Sequence, residues 1–362
     1  MSVVNKNIFT GTGSLKSLAK FLSANSFSQT FVLVDENTVK HCYPLVKKLL
    51  PKHSVIQIKS GEENKTLATC QTIWNKLTGA NADRQTLLIN LGGGVISDLG
   101  GFAAGCYKRG IKFINIPTTL LAMVDASVGA KTGVDLNGFK NQIGLFNEPE
   151  AVFVHTGFLK TLSDEELSAG FAEVIKHYLI ADKKAFNEIS KLFFPKKGKP
   201  YSIRMMDLDA LVQKNIAIKA KIVAKDKFET GERKALNFGH TIGHAMETYF
   251  LNKGKKILHG EAVAIGILCE SGISINAGLL PRGRFPFILL LIGAIFPDLP
   301  NFRKQSIPAI LKLIEQDKKS SEGKNQFTLL KDVGKYSTGN FVEENLIVHS
   351  LTYYSEMFFR HK

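Results

Sequence analysis

The stretch LNFGHTIGHAMETYF, residues 236–250, carries two imidazoles four positions apart, and a third follows in ILHGEAV at His259. On a helix over 239–250, His240 and His244 share a face with Glu247, the geometry by which HExxH enzymes present two ligands to zinc. HTIGH lacks the glutamate beside its first histidine, so a metalloprotease reading fails at its base. The same pair also suits capping, packing or anion binding. Glu173 stands in FAEVIKHY with Lys176 one turn later, and His259 occupies a Gly-flanked loop-to-helix junction. One carboxylate and two imidazoles suit a zinc ion with positions open to substrate oxygens.

A second chemical signal lies in NLGGGVISDLGGFAAG, residues 90–105. Three glycines after a buried strand and before a helix let the backbone approach a pyrophosphate, and the helix N-terminus offers it N–H groups and a positive dipole end. The run is not the GxGxxG dinucleotide fingerprint, and tight strand-to-helix packing uses glycine too. Asp35 and Asn37, at the end of FVLVD (31–35), stand where a carboxylate can hold a ribose hydroxyl or where the chain simply turns.

These groups need elements to position them. FVLVD (31–35), TLLINL (86–91) and FINIPTT (113–119) are short β-rich runs, and TLATCQTIWNKLTGANA (66–82) has helical periodicity. Together they predict an α/β domain with a parallel sheet. From Ser163 the pattern turns helical: SDEELSAGFAEVIKHYLI opens on a Ser-x-x-Glu capping box, and LDALVQKNIAIKAKIVAKDK and GHTIGHAMETYF continue the trend. The boundary is placed after the turn-rich LFNEPEAVFVHTGF, giving an α/β domain over 1–162 and a mostly helical one over 163–362.

The chain has 362 residues and 44% apolar content, enough for two domains with substantial cores. Its N-terminus lacks the basic-then-apolar order of a signal peptide, and its longest apolar run, FPFILLLIGAIF (285–296), is too short and Pro-interrupted to span a bilayer, so a cytoplasmic protein without membrane attachment is expected. Cys42, Cys70, Cys106 and Cys269 show no CxxC spacing and are expected to be buried free thiols. Much of the formal charge of +15 lies in loop-like stretches such as FPKKGKP (194–200) and LNKGKKILHG (251–260). No zinc finger or RNP-like strand accompanies it, so no nucleic-acid partner is expected, and an anionic metabolite remains to be argued from the site.

The blocks GGGVISD, IPTTLLAMVDASVGAKTGVD, GFKNQIG, GFAEVIKH, ETGERKALNFGHTIGHAMET and LHGEAVAIG resemble, in order over roughly residues 30–275, the signatures of the 3-dehydroquinate synthase family of sugar phosphate cyclases. QDKKSSEGKNQFTLL is similar to the family's DKK segment, while residues 280–310 are less typical. The resemblance implies an N-terminal NAD-binding α/β domain, a mostly α-helical C-terminal metal-binding domain and an active site in the cleft between them. It implies that zinc or cobalt is held by Glu173, His240 and His259, and that His244 contacts the substrate's phosphate end instead. The NAD positions implied are Asp35, Asn37, Glu62, Lys65, Gly93, Gly94, Asp98, Thr118, Thr119, Thr161 and Leu162, with Lys131 and Lys140 beside them. Ser97 stands where the family often has glycine; with a negative φ it is compatible with the helix start, and little change in NAD binding is expected.

The substrate so implied, 3-deoxy-D-arabino-heptulosonate 7-phosphate, carries a carboxylate and a phosphate. Arg233 and Lys219 resemble the carboxylate's partners, and Lys131, Asn141, His244 and Arg109 those of the phosphate. Lys140, Lys176 and the Lys318–Lys319 pair complete a cationic lining. The implied chemistry is transient oxidation by NAD, phosphate elimination, re-reduction and intramolecular aldol closure to 3-dehydroquinate, a step of the shikimate route to aromatic amino acids. Asp125 and His244 are candidates for proton relay, and Lys131 and Lys176 for direct participation. Rival readings are a cyclase of sedoheptulose 7-phosphate or glucose 6-phosphate, a metal-dependent polyol dehydrogenase, and a non-catalytic phosphosugar-binding protein. A homodimer is expected, with Arg109 reaching the neighbour's site.

Overall fold

A computed structural model describes residues 7–137, 139–194, 202–316 and 326–359. The chain forms two compact units, Met1–Leu167 with Asp207–Lys221, and Ser168–Met206 with Ile222–Lys362. The first is built on a six-stranded sheet of β1 (Ile8–Thr10), β2 (Thr30–Asp35), β3 (Ser54–Ile58), β4 (Leu87–Gly92), β5 (Lys112–Pro117) and β8 (Ala151–Val154) in the order β1-β8-β5-β4-β2-β3. All pairings in it are parallel. The near-continuous apolar runs TFVLVD, LLINLG and AVFV suit strands covered on both faces, and their residues are almost all buried.

Helix α1 (Ser14–Ala24) buries Ser14, Leu18 and Leu22, one side of a helix at four-residue spacing. Two short helices, α2 (Glu36–His41) and α3 (Tyr43–Val46), follow β2. Helix α4 (Leu67–Gly79) is capped by Thr66 Oγ1, which accepts from Thr69 N. Cys70, Ile73 and Leu77 of α4 and Ile96, Leu99 and Phe102 of α5 (Gly94–Cys106) share a core with Phe31, Leu33 and Leu88 of the sheet. Full burial of a side chain such as Ile73 or Leu77 stabilises by about 1.5–3 kcal/mol. Strands β6 (Lys131–Leu136) and β7 (Phe139–Phe146) form a separate antiparallel ribbon. It approaches α5 so closely that a Cβ on Gly101 would lie 2.4 Å from Thr132 Cγ2.

This topology has one reversal point: from β4 the sheet grows through β5 and β8 on one side and through β2 and β3 on the other. The carboxyl ends of the adjacent strands β2 and β4, at Asp35 and Gly92, flank that point. Parallel α/β sheets bind ligands at such a reversal.

Helix α6 (Asp164–Ala181) leads into the second unit, its start capped as expected by Ser163 Oγ, which accepts from Glu166 N at 3.2 Å. Helices α7 (Lys183–Phe193), α9 (His240–Asn252), α10 (His259–Asn276), α11 (Phe285–Ile295), α12 (Ile307–Gln316) and α13 (Glu344–Phe359) belong to this unit, and α8 (Leu208–Lys225) enters it at Ile222. Helix α10 is buried almost all round, as a central helix must be. Helices α9 and α10 meet through glycines: a Cβ on Gly266 would lie 1.8 Å from Gly239 O, and one on Gly243 3.1 Å from Ala262 O.

The apolar run at 285–296 forms the eleven-residue α11, and no described helix is long and apolar enough to cross a membrane. All four cysteines are free; Cys106 is exposed, contrary to the buried setting expected for it. The C-terminal part also holds an antiparallel hairpin, β9 (Gln326–Asp332) and β10 (Lys335–Phe341), which the helical pattern did not announce.

Asp332 at the end of β9 ties this hairpin to α7 and to the start of α11. Its carboxylate accepts from Lys183 Nζ at 2.7 Å and Arg284 Nε at 2.8 Å. The Lys183 bond, joined by Val333 N–H and Arg284 against a penalty from burial, holds its pKa down to about 2. A depressed carboxylate contributes stability that is present above its unfolded pKa of about 3.9 and lost as pH falls through the folded value. Urea unfolding between pH 5 and pH 2 is therefore expected to show a loss of stability from about pH 4 down to about pH 2 that is reduced in Asp332→Asn; identical pH profiles would refute this role.

Candidate metal centre and nucleotide cradle

Strand β4 runs straight into the glycine turn. Gly93 precedes α5 with extended backbone and Gly94 opens the helix, leaving the first-turn N–H groups facing outward from the strand end. A Cβ on Gly93 would come 3.0 Å from Thr119 Cγ2, and Thr118 N donates to Gly92 O at 3.0 Å, so Gly93, Gly94, Thr118 and Thr119 form one group. Ser97 is accommodated within α5, its hydroxyl donating to Gly93 O at 3.2 Å. Across the reversal point, Asp35 Oδ1 accepts from Asn37 N and Thr38 N and caps α2, so its carboxylate holds the strand-end turn.

One turn into α5, Asp98 joins a network from three segments. Lys65 Nζ donates to Asp98 Oδ2 and to Asn141 Oδ1, both at 2.6 Å, and Lys140 Nζ lies 3.1 Å from Glu62 Oε1. Asn141, whose φ of 52° is left-handed, donates its N–H to Asp135 Oδ1. Burial alone would lower the pKa of Lys65, but the Asp98 and Glu62 carboxylates outweigh it and raise the pKa, keeping the ammonium charged. Glu62, Lys65, Asp98, Lys140 and Asn141 are thus gathered together. Asp125 is paired with Lys219, whose Nζ reaches its Oδ1 at 2.7 Å and its backbone oxygen at 2.8 Å. Arg109 and Lys131 are exposed, and Thr161 and Leu162 close the turn after β8.

In the second unit the central group is Glu173, midway along α6 and fully buried. The Lys176 ammonium sits against its Oε2. Its Oε1, buried and without a hydrogen bond, faces His240 Nε2 at 3.4 Å and His259 Nε2 at 3.6 Å. These imidazoles are the first residues of α9 and α10, brought together by the glycine-mediated helix contact. One donor atom from each of Glu173, His240 and His259 lies within 4.8 Å of the others.

Burial would raise the pKa of Glu173, but Lys176 and His240 hold it well below the carboxylate range. Burial, assisted by Lys176, lowers His240 to about 4 against the pull of Glu173. At neutral pH the carboxylate is ionised and the His240 ring neutral, the protonation states a divalent metal requires. An orphaned buried carboxylate oxygen opposite two imidazole nitrogens fits a metal with N/O ligands. By donor atoms His244 groups with Glu247 and His259 and not with Glu173 and His240, although its ring centroid lies as near that of His240, 5.4 Å, as the centroid of His259 does.

Arg233 is buried in a 3-10 turn, Glu232–Asn237, with its Nη1 donating to Lys227 O and its Nε 4.0 Å from Glu229 Oε2. Its guanidinium is thus turned toward the loop that carries it. The hairpin braces that loop through Thr328 Oγ1, which donates to Lys234 O, and Tyr336 OH, which donates to Glu232. Lys318 and Lys319 lie outside the described residues.

The chain has the fold of the sugar phosphate cyclases. It is similar to a solved 2-deoxy-scyllo-inosose synthase complexed with carbaglucose-6-phosphate, NAD+ and Co2+, with a TM-score of 0.80 and 26% identity over 95% of each chain. Residues 55–169 match the 3-dehydroquinate synthase N-terminal family and residues 170–320 the 3-dehydroquinate synthase C-terminal family. The 3-dehydroquinate synthase of Parabacteroides distasonis is 42% identical over 343 residues, 94% of this chain and 95% of the relative. That of Campylobacter jejuni subsp. doylei is 42% identical over 313 residues, 85% and 87% of the two chains. The chain belongs to the 3-dehydroquinate synthase family.

Sequence reasoning gave no role to Glu270, which sets the start of α9. Fully buried on α10, it accepts from Gly239 N at 2.6 Å and Ile242 N at 3.1 Å, supplying the acceptors that the glycine N-cap cannot. Nothing in its local sequence marks it, because its partners lie about thirty residues away. Each buried N–H left unsatisfied costs about 1–3 kcal/mol, so Glu270→Ala, which strands two, is expected to lose roughly 2–6 kcal/mol in urea unfolding; a loss below about 1 kcal/mol would show that the cap is dispensable.

Proposed function

We propose that the chain converts 3-deoxy-D-arabino-heptulosonate 7-phosphate to 3-dehydroquinate and orthophosphate with NAD and one divalent metal, zinc or cobalt. The observation that carries the reading is the convergence of buried Glu173 with the Nε2 atoms of His240 and His259, in a chain of this family. Glu173, His240 and His259 would hold the metal. Gly93, Gly94, Asp98, Thr118 and Thr119 would hold NAD, with Asp35, Asn37, Glu62, Lys65, Lys131, Lys140, Thr161 and Leu162 around it. Residues 1–162 would then serve as the nucleotide domain and 163–362 as the metal domain. NAD supplies a reversible hydride acceptor, and the metal polarises the substrate hydroxyl oxygens beside the oxidised carbon.

The chain's own residues bind, orient and manage protons. Lys65 neutralises Asp98 beside the glycine turn and keeps Asn141 fixed. Lys219 orients the Asp125 carboxylate, and Lys176 holds Glu173 as the carboxylate a metal ligand must be. With C5 oxidised, C6–H would be acidic, and its proton would go to the departing phosphate or to a group such as His244 as the C–O bond to phosphate breaks. Hydride return, ring opening and aldol closure would complete the conversion with no net change in the nucleotide. Lys131, Asn141, His244 and Arg109 would hold the phosphate, Arg233 and Lys219 the carboxylate, with Lys318 and Lys319 adding positive charge. We also place the enzyme in the cytoplasm as a homodimer, Arg109 serving the neighbour's site.

Product identification with the three candidate sugar phosphates tests the reading. The heptulosonate phosphate alone is expected to give a product, 3-dehydroquinate, with no net NADH; turnover of sedoheptulose 7-phosphate or glucose 6-phosphate, or accumulating NADH, would replace it.

Metal analysis tests the ligand set: His240→Ala is expected to lose tightly bound metal while His244→Ala retains it and loses turnover. Equal loss in both would restore the i, i+4 pair. For substrate choice, a charge-assisted hydrogen bond contributes about 1.5–3 kcal/mol, so Arg233→Ala should lower kcat/KM for the heptulosonate phosphate by roughly tenfold to a hundredfold with metal retained. Because Arg233 also holds its own loop, melting temperature is measured on the same preparation. A fully metallated variant with unchanged kcat/KM would remove the carboxylate argument.

A further inference from the structure

The metal reading makes His259 a ligand through Nε2, and the role of the opposite edge of its ring rests on that reading. His259 Nδ1 lies 3.0 Å from Glu247 Oε2. The two residues come from different helices: Glu247 lies two turns along α9 from His240, while His259 opens α10. Glu247 is only 9% exposed, so its carboxylate is held rather than solvated.

A neutral imidazole carries one N–H and one lone pair, and the partner of one nitrogen decides the role of the other. An ionised carboxylate accepts and cannot donate. An ionised Glu247 would therefore place the His259 proton on Nδ1 and leave the lone pair on Nε2, the nitrogen turned toward Glu173. His240 reaches the same tautomer through a neutral partner, its Nδ1 lying 3.2 Å from the Phe238 carbonyl. The two ligand rings thus differ in what stands behind them, and a carboxylate makes its imidazole the more basic donor.

The competing reading is a second ion held by His244, Glu247 and His259, whose donor atoms also lie within 4.8 Å of one another. It would need the Nδ1 lone pair of His259 beside Glu247 while Nε2 serves the Glu173 set, and one neutral ring cannot offer both. We propose that Glu247 is a positioning residue: it fixes the tautomer and orientation of His259 and strengthens that ligand without touching the ion.

The test is zinc titration of metal-free protein against a chromophoric chelator, for wild type, Glu247→Ala, Glu247→Gln and His240→Ala, with melting temperatures of the zinc-free forms. Wild type is expected to bind one zinc per chain. Glu247→Ala should raise Kd by roughly tenfold to a hundredfold, and Glu247→Gln by less, because an amide oxygen still accepts from Nδ1–H. In zinc-loaded protein with 15N-labelled histidine, His259 should be protonated at Nδ1. Wild-type affinity in Glu247→Ala, a second zinc lost in that variant, or a fall in melting temperature without a change in Kd overturns the proposal. Zinc retained by His240→Ala is a different result: it removes the metal reading itself, and this inference with it.

Discussion

The second unit is organised around the cost of a fully buried carboxylate. Glu173 sits midway along α6, where no helix terminus supplies N–H groups, and an isolated ionised carboxylate there would be prohibitive. Lys176, one turn on and equally buried, provides the opposite charge, and two imidazoles face the remaining oxygen. Bringing the first residues of α9 and α10 to one point requires their backbones to touch. Gly239, Gly243 and Gly266 permit this, and Gly239 also adopts the left-handed φ of 80° that starts α9. Glu270 then satisfies the N–H groups exposed by that start. Packing, capping and charge pairing in this region answer one electrostatic demand.

The first unit meets a comparable demand differently. Its buried cation, Lys65, is spread over Asp98, Asn141 and Glu62, residues from α5, β7 and a turn after β3. The ribbon β6–β7 therefore anchors a polar network as well as covering α5, and the glycines of α5 that admit the ribbon belong to the helix that follows the cradle. Backbone approach and charge are found together here as they are at Glu173: Gly101 admits the ribbon that carries Asn141.

This coupling explains what could be read in advance. Strands β2, β4 and β5 and helices α4, α6, α8 and α9 follow from local periodicity and capping, because each has a continuous apolar run or face. Periodicity equally favoured His240 with His244, since residues four apart are neighbours on any helix. Glu173 and His259 were candidates by residue type, but their grouping with His240 depends on contacts between elements 67 and 19 residues from it, and resemblance to a family was what preferred that set to the i, i+4 pair. The hairpin β9–β10 and the ribbon β6–β7 escaped because bulges and polar positions interrupt their alternation. Arg233 shows the limit in the other direction. Its residue type suits an anion, but its burial and its bond to Lys227 O are decided by the fold of its own loop.

The charges around Glu173 have a further consequence for an anionic substrate. Without a metal, the Glu173 carboxylate is balanced by Lys176, and Glu247 adds a second carboxylate behind His259. A dication placed against Glu173, His240 and His259 would more than offset both carboxylates once Lys176 is counted, leaving the cluster with excess positive charge. Such a site favours a substrate that brings its own negative groups and disfavours a neutral polyol of the same shape. Lysine at position 176 therefore does two things that pull in opposite directions. It keeps Glu173 ionised, as a metal ligand must be, and it would repel a dication held there, so that an anion beside the cluster would relieve the excess charge.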